Sequence, residues 1–123
     1  MRGDAMQTRL GELFRNWGLS TEESIVECKA VANAFGAAPA RQLIATGGVR
    51  DGLQVAVLTA LGATMCGVGL PFFRAVVSPA PGLTPDESLD QEIRFFARSL
   101  EIAMYCSGAR STQHLPERLR KRN

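Results

Sequence analysis

Apolar residues recur at helical spacing from the start of the chain. Met6, Leu10, Leu13, Phe14 and Trp17 fall at i, i+4, i+7, i+8 and i+11, one face of a 3.6-residue period. Arg9, Glu12, Arg15 and Asn16 take the other side. The pattern predicts a helix over 4–17, stopped by Gly18. Ser20 then opens a second helix. Ser20 and Glu23 form an S-x-x-E capping box, and Glu22 and Glu23 place acids in the first turn, where the helix dipole favours them. Ile25, Cys28, Ala32 and Phe35 make its apolar line, Val31 widens that line, and Gly36 ends the helix. A third, shorter helix is expected over 39–46, with Leu43 and Ile44 as its apolar contribution and Gly47-Gly48 as its end.

The pattern then changes. Residues 52–73 run for 22 positions without a charge, between Asp51 and Arg74. A transmembrane helix needs about 20 such residues, and Ala56, Ala60 and Thr64 are small residues at spacing four, as in close-packed membrane helices. Gly62, Gly67, Gly69 and Pro71 interrupt the second half, however. Each Gly costs about 1 kcal/mol in a helix interior and Pro about 3. No belt of Trp and Tyr flanks the segment. The run therefore reads as a buried core helix over 53–61, a glycine-rich turn and a short second helix starting at Pro71.

The sequence SPAPG at 78–82 is a loop. After it, Thr84, Pro85, Asp86 and Glu87 supply an N-cap, a proline at the first helical position and acids in the first turn. A long helix is expected over about 84–107. Leu89, Ile93, Phe96, Leu100, Ala103 and Met104 mark its stripe, while Phe95, Ile102 and Tyr105 lie beyond it. A helix covering one side of a small core needs only one stripe. There is no alternation long enough for a convincing sheet. The expected fold is all-α: an irregular bundle of five or six helices, a single domain over 1–108 and a basic, flexible tail over 109–123.

Composition narrows the picture. At 123 residues the chain is one domain, with 46% hydrophobic and 21% charged residues, close to globular averages. The net charge of +2 conceals a basic end: Arg110, Arg118, Arg120, Lys121 and Arg122 against Glu117 alone after residue 108. Cys28, Cys66 and Cys106 are odd in number, widely spaced and set among apolar residues. They read as buried free thiols in a reducing cytosol, not as zinc ligands or a disulfide framework. With no apolar leader in MRGDAMQTRLGELF, the expected location is cytoplasmic.

Chemistry is sparse. The single histidine, His114, lies in the basic end, and neither G-x-S-x-G nor H-E-x-x-H occurs. Gly67-Val68-Gly69 is not followed by the further glycine or the Lys-Ser/Thr of a phosphate loop. No catalytic residue, cofactor or metal is expected, and the chain is not expected to be an enzyme.

The function expected from this pattern is a small regulatory protein acting through protein–protein contacts, most concretely a homodimeric anti-activator or adaptor that sequesters a transcription factor. Its interface candidates are Leu70, Phe72, Phe73, Val76, Val77, Phe95, Ile102 and Tyr105. The second expectation is a DNA-binding regulator with a degenerate helix-turn-helix over 20–46, where Ala32 and Gly36 have the required spacing. Its nucleic-acid contacts would be Arg41, Gln42, Arg118, Arg120, Lys121 and Arg122. A small protein spanning a membrane at 52–73 comes third.

Overall fold

The computed structural model describes residues 4–34 and 42–120. In chain order the elements are α1 (Ala5–Leu13), α2 (Thr21–Ala34), β1 (Ile44–Thr46), α3 (Gly52–Leu61), β2 (Met65–Gly67), α4 (Leu70–Val77), α5 (Pro85–Ser107), a 3-10 turn (Thr112–His114) and α6 (Leu115–Arg118). The chain is mostly helical, as expected, but not purely so. β1 and β2 pair in parallel, with Ile44 opposite Met65, Ala45 opposite Cys66 and Thr46 opposite Gly67. Helix α3 connects them, so β1, α3 and β2 form a βαβ unit.

Capping explains the helix starts. Glu23 N donates to Ser20 Oγ at 3.2 Å and Ser20 N to Glu23 Oε2 at 2.8 Å, the reciprocal box at α2. The same arrangement joins Thr84 and Glu87 at α5, which runs over 23 residues and ends at Gly108 in the left-handed region. Both glutamates are held below the usual carboxylate range, chiefly by the backbone N–H of Ser20 and of Thr84 respectively. Asp51 caps α3 by accepting from Gln54 N at 2.8 Å.

The core lies between the strands and the helices. Ile25 of α2, Ala45 of β1, Leu58 of α3 and Phe96 of α5 are buried together, and Phe72 of α4 packs on Phe96 with ring centroids 5.0 Å apart. A second cluster joins Ala56 and Ala60 of α3 to Ala109 and Leu115. Gly52 sits where α3 crosses α5. A Cβ there would overlap the Phe96 carbonyl oxygen and the Leu100 amide, so only glycine permits the approach. Gly52 N donates to Ser99 Oγ at 2.8 Å across the same crossing.

Several expectations change. The third helix, expected over 39–46, is absent at its C-terminal end: Ile44–Thr46 is strand β1, and the part before Gln42 lies outside the described residues. The glycine-rich turn contains β2. Neither three-residue strand carries a period of its own. Each forms because α3 returns the chain alongside the other: Thr64 N donates to Leu43 O at 2.7 Å, and Leu43 N to Thr64 Oγ1 at 3.3 Å. The segment after α5 packs where a flexible tail was expected, with Leu115 3% exposed against α3. Cys28 and Cys106 are exposed and Cys66 half-buried, so the expectation of three buried thiols fails. Burial pushes the Cys66 thiol up, partly offset by a hydrogen bond with Thr59. Helix α1 shows the amphipathic start expected of it, yet buries none of its residues.

Candidate functional site

Two glycine loops leave the same end of the parallel pair. Parallel neighbours carry their C-terminal ends on one side, and in open α/β sheets ligands bind in the crevice beyond those ends. After β1 the chain turns through Gly47 (φ 105°) and Gly48 (φ 71°), values L side chains rarely adopt. After β2 it runs through Val68 and Gly69 into α4. Between the loops lies an open cleft of 730 Å³ lined by Thr46, Gly47, Gly48, Gly67, Gly69 and Leu70, with Arg50 and Arg74 among the side chains.

The first loop is held from outside. Thr21 Oγ1, at the start of α2, donates to Gly47 O at 2.8 Å. Arg50 N donates to Gln54 Oε1 at 2.7 Å, which fixes the backbone just before α3. The narrow point between the strands is Thr46 beside Gly67. A Cβ on Gly67 would come within 3.2 Å of the Thr46 side chain, so glycine there leaves room at the cleft floor.

Donors and positive charge converge on this cleft. Helix α4 begins beside it at Gly69 with no side-chain cap and with Pro71 in its first turn. Its free first-turn N–H groups and the positive end of its dipole are therefore available to an anion. Helix α3, capped by Asp51, offers less of this. Arg50 and Arg74 form no ion pair with a described residue; the pairs present are Asp90–Arg94 and Arg98–Glu101, both on α5. Glu92 of α5 is the carboxylate that also lines the cleft. Among the described residues no group of three or more His, Cys, Asp and Glu could hold a metal ion. Glycine loops, a free helix N-terminus and two guanidinium groups suit a phosphate or diphosphate.

The residues singled out from sequence lie elsewhere, with one partial exception. Leu70 lines the cleft at the start of α4. Phe73, Val76 and Val77 are exposed on α4, while Phe72 turns inward to Phe96. Phe95, Ile102 and Tyr105 are exposed on α5. Gln42 is exposed before β1, and Arg118 and Arg120 are exposed at the C-terminal end; Arg41, Lys121 and Arg122 lie outside the described residues. The second helix of a helix-turn-helix would need residues 42–46, which are not helical. No helix among the described residues is long and apolar enough to cross a membrane. What the sequence reading missed was the pairing of Gly47-Gly48 with Gly67-Val68-Gly69. A strand before each glycine group is what joins them, and neither strand is long enough to show in the sequence pattern.

Comparison with known proteins bears on the same chain. It is 37% identical over 115 residues, 94% of its length, to an isopentenyl-diphosphate delta-isomerase of Methanothrix thermoacetophila. It is 37% identical over 112 residues to the protein of that name from Archaeoglobus fulgidus, and 36% identical over 110 residues to that of Bdellovibrio bacteriovorus. The chain spans 28% of the length of each of these relatives. No family model matches it, and no solved structure does. These relatives overturn the expectation of a non-enzymatic regulator. Proteins named for an enzyme, in archaea and bacteria alike, are similar to this chain along most of its length, which neither an anti-activator, a DNA-binding regulator nor a small membrane-spanning protein would explain.

Proposed function

We propose that this chain is the phosphate-gripping portion of an enzyme of the isopentenyl-diphosphate delta-isomerase kind. The observation that carries the proposal is the meeting of the Gly47-Gly48 and Gly67–Gly69 loops beyond two adjacent parallel strands, beside the uncapped start of α4. A diphosphate is dense in negative charge and rich in acceptor oxygens. Backbone N–H groups approach it only where side chains stay out of the way, which is what glycine supplies. Arg50 and Arg74 add charge-assisted hydrogen bonds from the side chains. The relatives' name specifies a diphosphate ester, and their similarity runs through both glycine loops, since 94% of the chain is covered.

In this reading the chain binds and orients. Its loops hold the phosphate end of the ligand, and the apolar remainder extends away from the strands. Held at one end, the ligand presents its reacting carbons in a fixed place, which lowers the entropy lost on reaching the transition state.

The test is a covalent chimera. The matching stretch of the Archaeoglobus fulgidus relative is replaced by this chain, and isomerisation of isopentenyl diphosphate is followed. Retained turnover, reduced at least tenfold by Arg50→Gln, agrees with the proposal. A folded chimera without turnover, or one indifferent to Arg50→Gln, contradicts it.

A further inference from the structure

The Gly47-Gly48 loop is pinned at both ends and loose in the middle. Before it, Thr46 is the register partner of Gly67; after it, Val49 is buried in the core. The peptide between the two glycines can rotate as a unit. Such a flip changes ψ of Gly47 and φ of Gly48, and glycine tolerates either sign. Something outside the loop has to fix which way that peptide faces.

One contact does so. Thr21 Oγ1 donates to Gly47 O at 2.8 Å, across 26 positions of sequence. Thr21 is the first residue of α2, and the reciprocal box of Ser20 and Glu23 sets where that helix begins. One turn further on, Ile25 is buried with Ala45 and Leu58. The hydroxyl therefore sits on an element anchored to the βαβ unit.

Its effect falls on the opposite side of the loop. In a trans peptide the C=O and the following N–H point in opposite directions. Gly47 and Gly48 line both the 730 Å³ cleft and a smaller cavity of 270 Å³, whereas Thr21 lines the smaller cavity alone. With the Gly47 carbonyl turned to Thr21, the Gly48 N–H is turned toward the cleft. Among the described residues no hydrogen bond uses that N–H. A flipped peptide would present the carbonyl oxygen to the cleft instead, and its partial negative charge repels an anion.

Resting on the phosphate reading of this cleft, we infer that Thr21 is a positioning residue for it. Its hydroxyl holds the Gly47-Gly48 peptide in the orientation that offers the anion an N–H donor and turns the carbonyl away. Thr21 acts through the loop and touches no ligand, so α2 takes part in binding from behind the cleft wall.

The experiment titrates the isotopically labelled full chain with inorganic pyrophosphate and follows amide and carbonyl shifts. In the unaltered chain the Gly48 amide proton should move downfield to saturation, while the Gly47 carbonyl carbon, still bonded to Thr21, keeps its shift. Thr21→Val preserves the branched shape and removes the donor; it should weaken pyrophosphate binding about fivefold or more. Thr21→Ser should bind as the unaltered chain does. Ile25→Val loosens the packing of α2 but spares the hydroxyl, and it should leave the affinity unchanged. A Gly48 amide that stays still while Gly69 and Leu70 shift overturns the inference. So does undiminished affinity in Thr21→Val, or a loss in Ile25→Val that matches it. Those outcomes leave the phosphate reading standing, whereas the absence of saturable shifts from both glycine loops removes that reading and this inference with it.

Discussion

Gly11, Gly52 and Gly48 show how differently one residue type acts in this chain. At Gly11, in α1, an added Cβ meets nothing within 4 Å. Gly11→Ala should stabilise the helix by about 0.5–1 kcal/mol, read as a higher urea midpoint. At Gly52 the added Cβ meets backbone of α5 that cannot move aside. Gly52→Ala should cost several times as much as Gly11→Ala gains, roughly 3 kcal/mol or more. Gly48 has open space but a φ of 71°, so Gly48→Ala should cost about 1 kcal/mol in strain and also place a methyl group at the lining of the cleft. The cysteines divide in the same way. Cys28 and Cys106 should react promptly with a thiol reagent at pH 8, and Cys66 slowly, because burial both shields it and disfavours its thiolate.

At the scale of elements, the caps decide where helices begin and how they answer to pH. Thr84→Ala should destabilise α5 by about 1 kcal/mol, seen as faster amide exchange in its first turn. Glu23 and Glu87 have folded pKa values below their unfolded ones. Their contribution is therefore fully present above the ordinary glutamate range and is lost as pH falls through the lowered folded values. Helix content at the starts of α2 and α5 should fall on acidification in that window, and Thr84→Ala should blunt the response at α5. These starts were legible in the sequence because a cap is local: S-x-x-E and T-P-D-E carry their own geometry. The strands were not legible. Ile44–Thr46 and Met65–Gly67 are too short for a period-two signal, and each depends on a partner about 20 residues away. The cleft was hidden for the same reason, since Gly47-Gly48 and Gly67–Gly69 become one feature only when the strands are set side by side.

On the scale of the whole molecule, the exposed strand residues Ile44 and Met65 and the cleft beyond the strand ends belong to one βαβ unit among the described residues. The sequence shows apolar residues beyond the main stripe of the long helix, Phe95, Ile102 and Tyr105, and a regulatory interface was the expected use for them. Among the described residues β1 and β2 pair only with each other, and Ile44 and Met65 stay exposed on one face of that pair. The central claim concerns what the strand ends hold. Its most direct test is a titration of the isotopically labelled chain with inorganic pyrophosphate, followed by amide chemical shifts. The account predicts saturable shifts concentrated at Gly47, Gly48, Gly69, Leu70 and Phe72, lost in Arg50→Gln. Shifts absent from these loops, or gathered instead at Arg118 and Arg120, would contradict it.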